Sequence, residues 1–178
     1  MKITLIQPDI IWENKPKNLE RIGEMISSIP VETDLVILPE MFNTGFSMNP
    51  ADLAEKPLSV TFEWMQDIAA KYNVGICGSY IVGENAHYYN RWILVSSEGE
   101  IWSYDKRHLF ILSGEERLFT RGEKRVVLNF RGTRICPNVC YDLRFPVWSR
   151  NRNDYDLLIN SSNWPESRRD VWITLLKA

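Results

Sequence analysis

The chain has 178 residues, 44% of them hydrophobic and 25% charged, which suits one ordinary domain and does not indicate disorder. Its net charge of −2 gives no basic footprint for nucleic-acid binding. Three cysteines without a CxxC pair and only two histidines argue against a disulfide framework and a structural zinc site. With no signal-peptide pattern and no apolar run long enough to cross a membrane, the sequence predicts a cytoplasmic protein.

The first half of the chain alternates between strand and helix patterns. Continuous apolar runs predict buried strands at 2–7, 34–40 and 74–82. Apolar residues at helical spacing predict helices at 18–29 and 58–72, the second with Ser59 as its N-cap.

The second half is dominated by hairpin patterns. Residues 88–106 predict two strands around Glu98–Gly99, and residues 125–140 predict a hairpin that turns at Arg131–Gly132. A further strand starts at residue 155 and leads into a Ser/Asn loop, and a helix begins at residue 167. Together these elements predict a single α/β domain over 1–178, with a mixed sheet and helices on its outer face.

Three apolar runs end in a residue that can carry chemistry: Glu40, Lys106 and Cys140. Taken singly, each has an ordinary explanation, respectively a loop carboxylate, a solvated lysine and a small buried hydrophobe. Side chains at strand ends of α/β folds can also converge on one ligand site. The stretch after Cys140 is typical of a helix start, and a helix N-terminus and a nearby lysine both favour the reactive thiolate.

Four motifs are more specific together, in their order along the chain, than any of them alone. They are LPEMFNTGF (38–46), YDKRHLF (104–110), CYDLRFP (140–146) and NSSNWP (160–165). With them the chain resembles the nitrilase, or carbon–nitrogen hydrolase, superfamily over nearly its whole length. It is most similar to the omega-amidase branch, which hydrolyses the side-chain amide of small 2-oxo acids. The resemblance implies an αββα sandwich with mixed β-sheets.

The resemblance also implies catalytic roles for Glu40, Lys106 and Cys140. We expect Cys140 to attack the amide carbonyl, and Glu40 to take the thiol proton and pass it to the departing ammonia. Lys106 and the backbone N–H of Tyr141 are expected to stabilise the oxyanion. Water activated by Glu40 then cleaves the thioester, so no metal or other cofactor is expected.

Two further polar residues lie close to the lysine motif. Many superfamily members carry a second glutamate that positions the lysine; Glu115 and Glu116 are the candidates, and the distance from Gly122 favours Glu115 over an exposed acidic pair. His108 offers a rival cysteine–histidine dyad. The strand-end lysine and glutamate explain more of the sequence, so His108 is predicted to be structural.

Five residues are candidates for substrate binding, and each has a structural alternative. Phe42 and Phe46 follow Glu40 and line a pocket or pack the loop. Asn163 and Trp164 lie just past a strand end, where pocket lining is one of two options. Arg144 binds a substrate carboxylate or pairs with Asp142, and the ion pair is the favoured interpretation.

The leading hypothesis is an amidase of small-molecule amides, and other functions stay open. Within the superfamily these are N-carbamoyl amino-acid hydrolysis, nitrile hydrolysis and repair of deaminated glutathione. Members generally extend past the point where this sequence stops, so a fragment or natural truncation without the closing strands is expected, and a non-catalytic scaffold is the alternative. A homodimer or higher homo-oligomer is expected, through helices near the nucleophile and the helix at Ser167. Cys77 and Cys136 are predicted to be buried in strands.

Overall fold

A computed structural model describes residues 1–177 as two mixed β-sheets that pack face to face. The five-stranded sheet has the order β1 (Ile3–Leu5), β2 (Leu35–Ile37), β3 (Gly75–Glu84), β4 (His87–Val95) and β5 (Ile101–Asp105). Strands β1 to β3 are parallel, and β3 to β5 are antiparallel. In the three-stranded sheet, β7 (Thr133–Val139) pairs antiparallel with β6 (Leu128–Phe130) and parallel with β8 (Leu157–Ser161). The mixed sheets predicted from the sequence are confirmed.

Within residues 1–177, six α-helices accompany the strands. They are α1 (Lys15–Ser27), α2 (Pro50–Leu53), α3 (Val60–Tyr72), α4 (Glu115–Leu118), α5 (Pro146–Ser149) and α6 (Arg169–Lys177). The predicted long helices are present with shifted ends, and 3-10 turns cover residues 111–113, 140–144 and 166–168. The sequence did not reveal α2, α4 and α5, because a single turn contains too few residues to show periodicity. In the described part of the chain, no helix is long and apolar enough to span a membrane.

The start of α3 differs in detail from its prediction. Ser59 occupies the N-cap position, but its hydroxyl makes no capping hydrogen bond. It donates instead to the Glu55 carboxylate at 3.1 Å, and the same carboxylate accepts the N–H of Thr61 at 2.9 Å. An acidic side chain from the preceding segment therefore caps the helix, which a local sequence pattern does not show.

Helices α1 and α3 cover the outer face of the five-stranded sheet. Ile22 and Ile26 of α1 and Met65 of α3 are fully buried in one cluster with strand residues such as Val36 and Ile76. Burial of these side chains is the main favourable contribution to packing of the helices on the sheet. The helices therefore lie on the outer face of this sheet, as the sequence predicted.

The opposite face of the five-stranded sheet packs on the three-stranded sheet. Trp92 and Leu94 of β4 share a buried cluster with Phe130 and Ile135 of the second sheet. The two sheets approach so closely that a Cβ on Gly75 would lie 2.5 Å from Phe130 Cζ, which leaves room only for glycine. A second core between the sheets brings the ends of β2, β5 and β7 together.

Candidate active site

The three strand-end residues lie at one place. Glu40 follows β2, Lys106 follows β5 and Cys140 follows β7, and each is at most 9% exposed. Lys106 Nζ donates to Glu40 Oε1 at 2.8 Å and to Glu115 Oε2 at 2.9 Å. The lysine is therefore held between two carboxylates in the interior, and all three side chains of that group are fully buried.

Cys140 lies on a tight turn between β7 and the 3-10 segment 140–144. Its φ of 45° is in the left-handed region, which costs energy for a residue with a side chain. Met41, directly after Glu40, also has a φ of 45°, and its N–H donates to Ser79 Oγ at 3.1 Å. Both segments that carry a reactive group are thus held in uncommon backbone conformations, as occurs where a side chain must be presented to a site.

Asn90, in the middle of β4, joins the two carboxylates, and the sequence interpretation missed it. Its Nδ2 donates to Glu40 Oε1 at 2.9 Å and to Glu115 Oε1 at 3.3 Å. The second oxygen of Glu40 accepts the backbone N–H of Asn163 at 3.1 Å. An amide in an otherwise apolar and aromatic strand, YYNRWILV, is the signal that could have found Asn90.

Glu115 is the buried member of the acidic pair. It opens α4, and its Oε2 accepts the backbone N–H of Phe110 at 2.6 Å in addition to its contacts with Lys106. Glu116 is exposed and lies 3.4 Å from the guanidinium of Arg117. The structure therefore places Glu115, and not Glu116, beside the lysine.

Burial and neighbouring charges shift the pKa values of Lys106, Glu115 and Cys140. Burial opposes the charge of Lys106, but the carboxylates of Glu40 and Glu115 raise the lysine pKa above its usual value. Burial raises the pKa of Glu115, with Lys106 opposing the shift. Burial and then the charge of Glu40 raise the pKa of Cys140 well above the usual thiol value, and Lys106 offsets this only in part. Burial and Glu40 thus oppose the effect expected of a helix N-terminus and a nearby lysine, which favour the thiolate.

The contacts of His108 give no support to a cysteine–histidine dyad, since in the described part of the chain its ring makes no hydrogen bond to Cys140. His108 Nδ1 lies 2.7 Å from Asp142 Oδ1, and the ring stacks on Phe145 at a centroid distance of 3.7 Å. Tyr104 Oη donates to the other oxygen of Asp142 at 2.8 Å. His108 thus contacts the turn after Cys140 and not the thiol, and its structural role stays a prediction.

A cavity of about 300 Å³ opens above Cys140. Its walls are mainly aromatic, and the residues that line it include Phe46, Phe110, Tyr141, Asn163 and Trp164. Phe46, Asn163 and Trp164 therefore line the cavity, and their role in substrate binding stays a prediction. Phe42 does not line the cavity: it is fully buried in the core against Tyr80, so its assignment as a substrate-binding residue is wrong.

Two arginines, Arg144 and Arg168, complete the lining. The predicted ion pair between Arg144 and Asp142 is absent, because Asp142 already accepts hydrogen bonds from Tyr104 and His108. Among residues 1–177, neither guanidinium has an acidic partner, and both lie over aromatic rings. Arg168, in the 3-10 turn 166–168, was not among the candidates from the sequence.

Comparison with known proteins identifies the family. Residues 2–178 match the carbon-nitrogen hydrolase family. Omega-amidase YafV of Yersinia enterocolitica is 43% identical over 178 residues, which cover all of this chain and 69% of that relative. 2-Oxoglutaramate amidase of Bacillus subtilis is 31% identical over 181 residues, which cover 99% of this chain and 70% of that relative. The chain therefore belongs to the carbon–nitrogen hydrolase family.

A solved structure agrees with this assignment. The crystal structure of XC1258 from Xanthomonas campestris, a CN-hydrolase superfamily protein with an arsenic adduct in the active site, is 36% identical in sequence. It superposes with a TM-score of 0.94 over 98% of this chain and 69% of that chain. The predicted superfamily, the likeness to its omega-amidase branch, the α/β fold and the class of carbon–nitrogen hydrolase are confirmed.

Proposed function

We propose that this enzyme hydrolyses the amide of a small carboxylic acid amide as an omega-amidase, with 2-oxoglutaramate and 2-oxosuccinamate as substrates. The observation that carries the proposal is the buried lysine held at 2.8 and 2.9 Å by two carboxylates, beside a cysteine at a strained turn on the floor of a cavity. Such a group combines a nucleophile, a base and a fixed positive charge in a site with little water.

In the proposed mechanism, Cys140 Sγ attacks the amide carbon while Glu40 takes the thiol proton. The raised thiol pKa supports this coupling, because the thiol does not ionise by itself near neutral pH. Lys106 and the backbone N–H of Tyr141 stabilise the oxyanion, and Glu40 returns the proton to the leaving nitrogen, which departs as ammonia. Water, deprotonated by Glu40, then attacks the thioester, and the acid leaves as the thiol is restored.

Glu115 has a positioning role in this proposal. It contacts Lys106 through both oxygens, at 3.1 and 2.9 Å, and shares Asn90 with Glu40. These contacts keep the ammonium group fixed before the oxyanion forms, so little reorganisation is needed during the reaction.

The cavity supports a small substrate that carries an anion. Aromatic walls suit a short aliphatic chain, and the arginines of the lining suit a carboxylate. The names of the relatives, omega-amidase and 2-oxoglutaramate amidase, point to substrates of this kind. A catalytic free thiol also favours a reducing compartment such as the cytoplasm.

A homo-oligomer remains part of the proposal. Val147 on α5 is 72% exposed and Leu176 on α6 is 53% exposed, so apolar side chains on both helices named for association face outwards. Sedimentation velocity of the chain over a range of concentrations would detect a dimer, and a monomer at all concentrations would oppose it.

Ammonia release tests the activity. We expect turnover of 2-oxoglutaramate and 2-oxosuccinamate to exceed that of N-carbamoyl amino acids, deaminated glutathione and simple nitriles. Cys140→Ala should abolish release, whereas Cys136→Ala, which changes a cysteine inside β7, should retain it. No release from any substrate would contradict the amidase proposal, and a fully active Cys140→Ala variant would contradict the nucleophile assignment.

A further inference from the structure

We infer that Arg168 is the residue that selects a carboxylate-bearing substrate, with Arg144 as a secondary, more exposed cation. Both guanidinium groups line the cavity that contains Cys140. The inference rests on the proposed amidase function for the reacting end of the ligand, and it specifies the group at the other end.

The position of Arg168 is fixed from two sides. Its guanidinium carbon lies 5.2 Å from the centroid of Phe110, and its backbone carbonyl accepts the indole N–H of Trp164 at 2.9 Å. Stacking uses the flat face of a guanidinium and leaves the N–H groups at its edge available for a planar anion. Within the described chain these N–H groups form no side-chain hydrogen bond, so their hydrogen-bonding capacity is free for a ligand.

Arg144 is less suited to this task. Its guanidinium carbon lies 5.9 Å from the ring centroids of both Tyr141 and Trp164, and the residue is exposed, whereas Arg168 is half-buried. Water and salt screen an exposed charge more than a half-buried one. Arg168 should therefore contribute more to discrimination than Arg144.

The charge of the cavity points to the same ligand. Its lining contains two arginines and no acidic side chain, while the buried group below it holds two carboxylates against Lys106. A neutral amide needs no cation at the far end of the cavity, but a carboxylate does, because it must be bound near these buried acidic groups. The cavity volume of about 300 Å³ limits the ligand to a short chain between amide and carboxylate.

A matched pair of substrates tests the inference. Glutaramate and pentanamide share the reacting amide and the chain length, and only glutaramate ends in a carboxylate. Arg168→Gln should lower kcat/KM for glutaramate by about 10- to 100-fold, mainly through KM, and that for pentanamide much less, because hydrogen bonds to a charged group are lost. Arg168→Lys should retain part of the preference, since it keeps the charge without the planar donor fork.

Two neighbouring arginines serve as comparisons. Arg169→Gln changes a residue outside the lining that lies 3.7 Å from Glu166, and it should leave the glutaramate-to-pentanamide ratio intact. Arg144→Gln should lower the ratio less than Arg168→Gln does. An equal loss for both substrates in Arg168→Gln would show a packing role and overturn the inference, as would a larger effect of Arg144→Gln.

Binding without turnover separates this inference from the amidase proposal. Glutarate should bind to the Cys140→Ala chain in a calorimetric titration and bind at least tenfold more weakly when Arg168→Gln is added. Equal binding by both variants would overturn the role of Arg168. If the unaltered chain releases no ammonia but glutarate binding depends on Arg168, the proposed function fails while the anion site stands.

Discussion

The carboxylate of Asp142 ties the turn after Cys140 to His108, whose Nδ1 lies 2.7 Å from Asp142 Oδ1. The backbone N–H of His108 donates to the same oxygen at 2.9 Å. The other oxygen accepts the Tyr104 hydroxyl at 2.8 Å and the N–H of Val139 at 3.0 Å. A carboxylate only accepts hydrogen bonds, so this contact requires an N–H on His108 Nδ1. Asp142 thus links the segment that contains Lys106 to the segment that contains Cys140.

We expect Asp142→Asn to destabilise the fold. An amide has one acceptor oxygen where the carboxylate has two, so donors in this fully buried site lose their partner, at about 1–3 kcal/mol for each donor left unpaired. Urea denaturation should show the lower free energy of unfolding. Asp156→Asn, at an exposed ion pair with Arg134, is the control and should change stability much less. Equal stability of the two variants would contradict the role of Asp142.

Glu115→Gln should slow turnover without unfolding the protein. Glutamine preserves the shape of the side chain, but it removes one of the two carboxylates that hold Lys106. Loss of a fixed oxyanion donor costs about 10²- to 10³-fold in kcat, and we expect up to this range for a displaced lysine. The ammonia assay measures kcat, and Glu116→Gln on the exposed neighbour is the control. Similar rates in both variants would show that Glu115 does not act on the lysine.

The sequence predicted the site best where a residue follows a long apolar run. Glu40, Lys106 and Cys140 could be found this way, because a strand direction and its end are visible in the hydropathy pattern. Asn90 and Arg168 could not: Asn90 lies inside a strand, and Arg168 lies in a single 3-10 turn without periodicity. Their roles depend on which elements are neighbours in the folded sheets.

Tertiary packing decides two features that the sequence pattern does not show. Phe42 and Phe46 lie in one loop, and only the tertiary packing decides that Phe42 enters the core while Phe46 lines the cavity. Charge and helix position were expected to favour the thiolate of Cys140, whereas burial gives the largest effect on its pKa and raises it. Sequence patterns indicate what a residue can do, but they do not give the desolvation that determines its charge.

Glu40→Gln should make Cys140 easier to alkylate. Glu40 raises the thiol pKa through its charge and through a hydrogen bond, so removing its charge lowers that pKa. A lower pKa increases the thiolate fraction, so iodoacetamide labelling near pH 8 should accelerate while ammonia release falls. Labelling of the buried Cys77 and Cys136, followed by mass spectrometry in the same sample, is the internal control. Slower labelling of Cys140 would show that Glu40 acts as a base in alkylation, and that this effect is larger than its effect on the thiol pKa.

The protein should lose stability in alkali. The pKa values of Cys140, Cys77 and Cys136 are all raised by burial, so the folded state keeps thiol protons that the unfolded state loses. The unfolded chain then binds fewer protons, and the free energy of unfolding falls as pH rises above the unfolded thiol pKa of about 8.5. Urea denaturation at a series of pH values should show this decline, and Cys140→Ala should reduce its slope. A free energy of unfolding that is constant between pH 8 and 10 would oppose the prediction.

Gly122→Ala should disturb the position of Lys106. A Cβ at residue 122 would lie 2.0 Å from the carbonyl oxygen of Asp105, the last residue of β5, and the N–H of Gly122 donates to the carbonyl of Lys106 at 2.9 Å. A backbone atom at that distance cannot move away without shifting the strand end that carries the lysine. We therefore expect a loss of stability of about 1–3 kcal/mol, typical of overpacking, together with a lower kcat.

The control for this variant is Gly23→Ala, in the interior of α1. There a Cβ meets its nearest atom, Trp64 Nε1, at an ordinary 3.9 Å, so alanine should be neutral or stabilise the helix by up to about 1 kcal/mol. Thermal unfolding and the ammonia assay on both variants separate the two effects. Wild-type stability and kcat in Gly122→Ala would mean that the close approach to Asp105 is relaxed without moving Lys106.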